Sequence, residues 1–503
     1  MAMRTFRQIK QFSLRSRASI FGLVAFNLVI LSTANAATDK ASLPWQKKMN
    51  DIVHSSHVPE KRLGLIIARD DGTSVAELNA DQPMTPASLT KVATAAAVLQ
   101  KFPVGYQFLT ELLSDKAPAG STLDGSLYLR GSGDAGFVSE SMWFLVNEFT
   151  RTGVREIKGD LIIDDTAFDS VRRDPTRDQA TVDRAYDSPV GAMTMNWSAV
   201  SVFVRPATKS GEAAIAYADP ENEYIKLVNK AKTVSSGATK IEITNESIGK
   251  TSSVDEETVV VKGTIAVGAP EFVAYKAITK PEIWAGYNLR SFLKQRGITV
   301  TGKVRSGAAP SSAKVLATNK SKPVGDLVST MMKWSNNYVA EILTKGLGLY
   351  AAGKPGTMEK GTQIVREFLK QIGVKDVEFD NPSGLSRKNS FRPKDLAHVL
   401  QYVQKHFEIF PEYLASLPIG GVDGTLRKRN HQTDVVGTVR AKTGHLAGVA
   451  GLAGYVGSHT GQSYSFVFLY NGSAEESYKA QEVFDKLVFE IQKFDDGVKS
   501  DAN

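Results

Sequence analysis

The pattern of apolar and polar positions divides this chain of 503 residues into parts with different textures. Residues 63–78 hold an apolar run, an Asp-Asp-Gly turn and a second extended segment, which predicts a β-hairpin. An apolar, alanine-rich helix pattern follows at residues 85–102. Residues 103–280 contain short extended segments separated by Gly, Asp, Asn and Ser, so β-structure is predicted there. Helical patterns return from residue 281 onward.

Two apolar runs near the end of the chain, residues 449–456 and 464–470, flank a Gly-Ser-His-Thr-Gly turn and predict adjacent strands of a buried sheet. A helix with a single apolar stripe follows them. The stripe consists of Val483, Phe484, Leu487, Val488, Ile491 and Phe494. A helix on a membrane surface is the alternative. However, the acidic residues of this segment are unfavourable at an anionic surface, so packing against the sheet is predicted.

These textures predict a multidomain α/β protein in which the β-rich region is an insertion. Residues 37–102 and 281–494 then form the two parts of one α/β domain. The insertion, residues 103–280, comprises one or two domains, and residues 495–503 are a polar tail. A chain of this length is in any case expected to form two or three domains.

The first 36 residues have the composition of a secretory signal peptide. Five basic residues lead into a short apolar stretch from Ile20 to Leu31, and Ala34-Asn35-Ala36 matches an A-x-A cleavage site. We therefore predict an exported, periplasmic protein that is cleaved after Ala36. An uncleaved membrane anchor is the alternative, although the chain has no run of about 18 apolar residues that would favour a stable membrane span.

The charge and the cysteine content exclude several classes of function. The full chain carries a formal charge of +8, but the leader has five basic and no acidic residues, which leaves +3 for the remainder. Nucleic-acid binding, which needs concentrated positive charge, is therefore not predicted. The absence of cysteine excludes thiol nucleophiles and thiolate metal sites. The seven histidines are scattered, and we interpret His54 and His57 as a loop pair, so no metal or other cofactor is predicted.

The first candidate for chemistry is a serine at the start of the alanine-rich helix. In the sequence TPASLTKVATAAAVL, Ser88 precedes Lys91 by three residues, which places both on one helix face. Partial burial would lower the pKa of the lysine amine and make it a base for a serine nucleophile. The alternative is a helix cap with a solvated lysine. A second S-x-x-K sequence, Ser311 to Lys314, lies in a segment that we interpret as a linker.

Two further short sequences change the interpretation of that serine. Ser335 and Asn337 lie just before an apolar helix pattern, where an ordinary helix N-cap is the alternative. Lys442-Thr443-Gly444 precedes an apolar strand, where a strand-end turn is the alternative and where the glycine allows a ligand to lie close to the strand. S-x-x-K, S-x-N and K-T-G, in this order, are the motifs of penicillin-binding proteins and serine β-lactamases.

With these motifs the sequence resembles the D-alanyl-D-alanine carboxypeptidase/endopeptidase class of low-molecular-mass penicillin-binding proteins, which has a large insertion between the first two motifs. The resemblance implies a penicillin-binding-protein/serine β-lactamase-like domain, with an antiparallel sheet and flanking helices, interrupted by inserted β-rich domains. It extends beyond the motifs to YLRGSGDAGF (128–137), IKGDLIIDDTAFD (157–169), YDSPVGAMTMNWSAVSVFVRP (186–206), DNPSGLSRKNSFRP (380–393) and LPIGGVDGTLRKR (417–429).

The resemblance also implies a role for each residue of the first two motifs. Ser88 would be the nucleophile that accepts the acyl group, and Lys91 would be the base that activates it. Ser335 would line the cleft and relay a proton, and Asn337 would hold the peptide backbone of the substrate.

The third motif is implied to bind the substrate. Lys442 would add positive charge to the cleft and, with Thr443, would suit the terminal carboxylate of a peptide. Gly444 and His445 continue the strand edge, and the backbone N–H groups of Ser88 and His445 would form the oxyanion hole.

Two departures from the family pattern are visible. His445 replaces the small hydroxyl residue that usually follows K-T-G, which removes a possible side-chain contact with the substrate carboxylate. A protonated imidazole would compensate, or the change would alter substrate preference. In DNPSGLSR, Pro382 makes the segment longer than the family's form, so no role is carried over to Asp380, Ser383 and Arg387.

The function implied by the resemblance is that of a periplasmic serine DD-peptidase that acts on peptidoglycan stem peptides through an acyl-enzyme. The enzyme would release D-alanine, would cut cross-links and would be acylated by β-lactam antibiotics. A serine β-lactamase is one alternative; the long insertion and the absence of an E-x-x-L-N segment after S-x-N argue against it. A catalytically silent scaffold that binds the cell wall is the other, and the intact motifs argue against it. The sequence gives no oligomeric state.

Overall fold

The computed structural model describes residues 44–177, 183–248, 256–429 and 436–493. The predicted cleavage site, Phe494 of the apolar stripe and the predicted polar tail lie outside these residues. The described chain forms ten α-helices, named α1 to α10, none of which is both long and apolar enough to cross a membrane. They span residues 44–56, Thr90–Lys101, Ser139–Thr150, Pro281–Gln295, Val324–Lys333, Asn337–Ala352, Met358–Gln371, Pro393–Gln404, Phe410–Ser416 and Glu476–Lys493.

Twenty strands, β1 to β20, occur in the same described residues and form five sheets. They span Leu63–Arg69, Ser74–Leu78, Leu109–Ser114, Thr122–Leu123, Leu127–Gly131, Glu156–Ile157, Leu161–Asp164, Ala199–Arg205, Ile215–Asp219, Ile225–Asn229, Lys232–Val234, Lys240–Asn245, Glu257–Ala266, Phe272–Ala277, Thr299–Val300, Val304–Ser306, Lys314–Lys320, Val439–Leu446, Val449–Gly457 and Ser463–Asn471.

The sheet that organises the molecule joins the two ends of the chain. Its strand order is β18-β19-β20-β1-β2, and every neighbouring pair is antiparallel. The predicted hairpin is confirmed as β1 and β2, and the two late apolar runs are confirmed as the neighbours β19 and β20. Both of these late strands are buried along almost their whole length, because helices cover the two faces of the sheet.

One helix layer, α1 and α10, packs on the first face of this sheet. The described part of the apolar stripe of α10, from Val483 to Ile491, is buried in one core with Trp45 of α1 and the inward side chains of the strands. The prediction that this helix packs on the sheet is therefore confirmed.

The second face of the sheet carries the alanine-rich helix α2 and the helices around it. All side chains from Thr90 to Leu99 are buried, and α2 contacts α5, α6, α7, α8 and α9. Alanine dominates α2 because small side chains let several helices approach one central helix closely. This helix therefore holds its first turn in a fixed position at the centre of the domain.

The inserted region has its own core and four sheets. Its largest sheet has the order β16-β7-β5-β3-β17, and the helices α3 and α4 pack against it. Because β3 at the start of the insertion pairs with β17 at its end, the chain leaves and re-enters the first domain at adjacent positions. The α/β domain formed by the two ends of the chain is therefore continuous in space, although the insertion interrupts it in sequence.

The predicted end of the insertion at residue 280 needs correction. Helix α4, assigned from its helical texture to the second part of the first domain, buries Ile283, Trp284 and Leu289 in the inserted core. Strands β15 and β16 pair with β6 and β7, and β17 pairs with β3. We therefore place the end of the insertion near residue 320. An apolar helix face does not reveal which of two cores it will join.

Candidate active site

Ser88 lies in a short 3-10 turn, Ala87–Leu89, that leads directly into α2. Ala87 adopts a positive φ of 50°, a conformation that is rare for a residue with a Cβ and that occurs often at functional sites. The amine of Lys91 donates a hydrogen bond of 3.1 Å to Ser88 Oγ. The predicted contact between the serine and the lysine three residues later is therefore present, and the serine is not a simple helix cap.

The amine of Lys91 is fully buried and has three hydrogen-bond acceptors around it. Besides Ser88 Oγ, it donates to Asn337 Oδ1 at 2.8 Å and to the carbonyl oxygen of Ser383. Burial lowers the pKa of this amine well below its ordinary value, and the positive charge of Lys442 lowers it further, while Glu341 opposes the shift. An amine in this setting is well suited to accept a proton from a serine hydroxyl.

In the turn before α6, the residue that caps the helix is distinct from Ser335 and Asn337. The N-cap of α6 is Asn336, whose side chain accepts a hydrogen bond of 3.1 Å from the N–H of Val339. Ser335 has a positive φ of 54° and lies just before this cap. Neither Ser335 nor Asn337 caps the helix. The N-cap interpretation therefore applies to Asn336, which lies between them.

Lys442 is the second fully buried lysine of the site. Its Nζ donates to Ser335 Oγ at 2.8 Å and to the carbonyl oxygen of Thr443 at 2.6 Å. Burial lowers the pKa of Lys442 to about 7. Each of the two site serines thus has a buried lysine amine as its partner: Lys91 for Ser88 and Lys442 for Ser335.

Strand β18 is an edge strand, and its outer edge borders the site. Ala441 donates its N–H to the carbonyl of Pro418, which lies outside the sheet, at 2.9 Å. Alternate residues of a strand direct their N–H groups to the same side, so those of Thr443 and His445 also point to the outer edge. The backbone donor expected from His445 is therefore on the side where a substrate would lie.

Gly444 allows this edge to approach the turn that carries the serine. A Cβ at Gly444 would lie 2.8 Å from the carbonyl oxygen of Pro86, closer than side chains tolerate. The glycine of K-T-G is therefore required for the strand to pass beside the segment that carries Ser88.

The side chains of Thr443 and His445 alternate with the positions of Lys442 and Gly444 and therefore point to the opposite face of β18. Thr443 Oγ1 forms a hydrogen bond of 2.8 Å with Thr425 Oγ1. The imidazole of His445 is exposed, and its ring centre is 6.3 Å from that of Tyr478 on α10. The imidazole is thus beside an aromatic ring of α10 and open to solvent.

A turn between α7 and α8 contributes groups that the motifs do not include. Asn381 Oδ1 accepts hydrogen bonds from the N–H groups of Ser383 and Gly384, at 2.9 and 3.2 Å, and thereby fixes the carbonyl that holds Lys91. Gly384 has a φ of +86°, and a Cβ there would lie 2.1 Å from the carbonyl oxygen of Ala87. The turn thus packs directly behind the nucleophile.

The other residues of this turn have structural partners. Asp380 accepts a hydrogen bond of 2.6 Å from Ser386 Oγ, and Arg387 donates to the carbonyl of Ala447, just beyond β18, at 2.8 Å. The wealth of Asn, Gly, Pro and Ser in DNPSGLSRKN signals a tight turn. Nothing in the sequence identifies the Ser383 carbonyl as the partner of Lys91, because every residue has a carbonyl.

The second S-x-x-K sequence is elsewhere. Ser311 and Lys314 are exposed, in a turn and at the first residue of β17 within the inserted sheet. In the described ranges no group of three or more His, Asp or Glu side chains could hold a metal ion.

Comparison with known proteins identifies the family of the chain. The sequence profile of the D-Ala-D-Ala carboxypeptidase 3 (S13) family matches residues 45–490. A D-alanyl-D-alanine carboxypeptidase of Actinomadura sp. (strain R39) is 30% identical over 468 residues, which cover 90% of this chain and 85% of the relative. The D-alanyl-D-alanine carboxypeptidase DacB of Haemophilus influenzae is 28% identical over 443 residues, covering 86% of this chain and 90% of the relative.

The fold leads to the same family. The crystal structure of penicillin-binding protein 4 (dacB) from Haemophilus influenzae matches with a TM-score of 0.74 at 25% identity, over 89% of this chain and 99% of that one. A second structure of that protein, in complex with a β-lactam, matches with a TM-score of 0.69 at 26% identity, over the same shares of the two chains. The chain therefore belongs to the D-Ala-D-Ala carboxypeptidase 3 (S13) family and is a serine-type D-Ala-D-Ala carboxypeptidase with a large insertion.

Proposed function

We propose that Ser88, Lys91 and Ser335 carry out the peptide hydrolysis of this family, and that Ser88 forms the acyl-enzyme. The observation that carries the proposal is the fully buried amine of Lys91, 3.1 Å from the Ser88 hydroxyl. Burial and the nearby charge of Lys442 favour the neutral amine. In that form Lys91 accepts the hydroxyl proton while Ser88 Oγ attacks the carbonyl carbon of a D-alanyl peptide bond.

The substrate lies along the outer edge of β18. The N–H groups of Ser88 and His445 donate to the carbonyl oxygen as it gains negative charge. The amide of Asn337, whose oxygen is engaged by Lys91, offers its NH₂ group to the peptide backbone of the substrate. Lys442 and Thr443 bind the carboxylate at the end of the peptide.

The proton taken from the nucleophile is delivered to the leaving amine by way of the hydroxyl of Ser335, which Lys442 holds at 2.8 Å. The carbon–nitrogen bond breaks, D-alanine leaves with the proton, and the remaining peptide is an ester of Ser88. A water molecule then attacks the ester, which releases the peptide as a carboxylic acid and restores the serine hydroxyl.

The same steps cut a peptide cross-link when the leaving amine belongs to a D-amino acid of a neighbouring stem peptide. A β-lactam enters the same path, because its ring amide is attacked as the peptide bond is. The leaving nitrogen of the opened ring stays tethered to the acyl group, so the adduct is expected to persist.

These reactions take place outside the cytoplasm. The basic and apolar composition of the leader and the A-x-A sequence at residues 34–36 support export, with cleavage after Ala36 and function in the periplasm. Peptidoglycan is then directly accessible to the mature enzyme.

The proposal is tested by incubating purified residues 37–503 with monomeric and with cross-linked muropeptides and separating the products. The wild type is expected to release D-alanine and to convert cross-linked dimers to monomers, and Ser88→Ala is expected to do neither. Equal activity of both proteins would establish a silent scaffold with a contaminating hydrolase. Sustained turnover of penicillin, in place of a long-lived adduct, would establish a β-lactamase.

A further inference from the structure

A segment of the insertion packs against α6, the helix that carries Asn337. We call this segment the clasp; it comprises residues 165–177 and 183–194. Three side chains on one face of α6 contact it. Tyr338 forms a hydrogen bond with Thr194, Glu341 pairs with Arg177, and Lys345 pairs with Asp169 at 2.5 Å. Residues spaced by three and four positions share a helix face, so the clasp contacts α6 along about two turns.

The central contact is a buried, bidentate ion pair. Arg177 Nε and Nη2 donate to the two carboxylate oxygens of Glu341 at 2.9 and 2.5 Å, and Nη1 donates to Asp187 at 2.6 Å. The side chains of Arg177 and Glu341 are 4% and 0% exposed. Glu341 lies one turn after Asn337 on the same face of α6, and Asn337 accepts a hydrogen bond from the amine of Lys91.

A second connection runs from the clasp to the same amine through the turn behind the nucleophile. Asn381 Nδ2 donates to Asp174 at 3.1 Å and to Thr176 at 3.3 Å, so the clasp fixes the orientation of this amide. The amide oxygen organises the turn whose Ser383 carbonyl accepts from Lys91. Two of the three acceptors around the Lys91 amine therefore depend on the clasp.

We propose that the clasp positions the general base: Arg177 neutralises the carboxylate next to Lys91, and Asp174 with Thr176 orients the turn that holds its amine. Arg177, Glu341 and Asn381 act as positioning residues and touch no substrate. The insertion thereby completes the active site, beyond any part it takes in substrate binding. The inference rests on the proposed role of Lys91 as the base.

The charged groups near Lys91 determine in which direction its pKa moves when one of them is removed. The charged groups that act on Lys91 are Lys442 on β18, which favours the neutral amine, and Glu341 on α6, which favours the ammonium. The charged groups of the clasp around this carboxylate are Arg177, Arg173 and Asp187. An unneutralised carboxylate would hold the proton on Lys91, and the base would be lost at neutral pH.

The test is the pH dependence of acylation by a fluorescent penicillin, in which the rate rises with pH as Lys91 loses its proton. Glu341→Gln removes the opposing charge, so the rising limb is expected to move to lower pH by about one unit. Arg177→Gln leaves the carboxylate unneutralised, so the limb is expected to move to higher pH by about the same amount. The double variant is expected to return close to the wild type, because it has lost both charges.

Asp169→Asn is the matched control. It weakens the other ion pair between the clasp and α6, with Lys345, two turns beyond Asn337. This variant is expected to have a lower thermal midpoint, and the rising limb of its acylation profile is expected to stay at the wild-type pH. The inference would be overturned if the rising limbs of Glu341→Gln and Arg177→Gln did not move in opposite directions. A shift of the limb in Asp169→Asn as large as in those two variants would also overturn it. If Arg177→Gln does not fold, the comparison of Glu341→Gln with Asp169→Asn decides.

Failure of the inference is distinguishable from failure of the proposed function. If the wild type is not labelled by penicillin at all, the catalytic proposal fails. If the wild type is labelled and the charge variants keep its pH profile, only the clasp proposal fails.

Discussion

Replacement of Lys442 by methionine probes the electrostatics of the cleft through protein stability. The Lys442 side chain has no exposed surface, and burial lowers its pKa from 10.5 to about 7. The unfolded state therefore binds more protons than the folded state between those two pH values, and folding stability rises with pH across this window. A methionine at the same position has no proton to bind, so this contribution disappears from the variant.

The magnitude follows from the two pKa values. One pKa unit corresponds to about 1.4 kcal/mol, so at pH 6 the buried amine costs about 5 kcal/mol of unfolding free energy, and at pH 9 about 2 kcal/mol. Losing the hydrogen bonds of Lys442 to Ser335 and Thr443 offsets part of the gain from its replacement, by an amount that depends little on pH. The stabilisation by Lys442→Met is therefore expected to be about 3 kcal/mol larger at pH 6 than at pH 9.

The assay is chemical denaturation of the wild type and the variant at pH 6, 7.5 and 9. Lys47→Met is the control, because the Lys47 side chain is 80% exposed and its replacement is expected to have the same effect at all three pH values. Lys442→Met is also expected to lose penicillin acylation, since the partner of Ser335 is gone. An equal gain in stability at pH 6 and pH 9 would mean that burial does not lower the pKa of the Lys442 amine.

Three further substitutions test local features. Asn336→Ala removes the N-cap of α6 and is expected to cost about 1 kcal/mol in denaturation, while Asn336→Asp, which keeps a capping oxygen, should recover most of it. Gly384→Ala places a Cβ 2.1 Å from the Ala87 carbonyl and is expected to slow labelling of Ser88 at least tenfold; an unchanged rate would show that the turn behind the nucleophile can yield. His445→Pro deletes an N–H on the outer edge of β18 and is expected to acylate about 100-fold more slowly than His445→Ala, which keeps it; equal rates would remove this N–H from the oxyanion hole.

The sequence predicts which polar groups of the three motifs come together, because each motif combines a local rule with a required chemistry. The spacing of Ser88 and Lys91 fixes a shared helix face, and the apolar helix after them explains why the lysine is buried. Ser335 and Lys442 are far apart in sequence, and only the family pattern connects them. The structure places their polar atoms 2.8 Å apart, as that pattern implies.

Other features of the site have no signal in the sequence. The Ser383 carbonyl is backbone, and Asn336 caps α6 although either neighbouring residue satisfies the same preference. In the sequence, Arg177 and Glu341 cannot be distinguished from ordinary surface charges, because their contact exists only where the insertion packs against α6. The boundary near residue 320 escaped prediction for a related reason, since the apolar face of α4 suits either core. Contacts between domains depend on the assembled geometry, which local periodicity does not contain.

Ser88 is the proposed nucleophile, and the location of the penicillin adduct shows directly whether it reacts. The purified protein is treated with benzylpenicillin, digested and mapped by mass spectrometry, alongside Ser88→Ala and Ser311→Ala. The second variant alters the exposed S-x-x-K copy in the inserted sheet. The adduct is expected on Ser88 in the wild type and in Ser311→Ala, and on no residue in Ser88→Ala. An adduct that persists in Ser88→Ala, or that maps to another serine, would show that Ser88 is not the nucleophile.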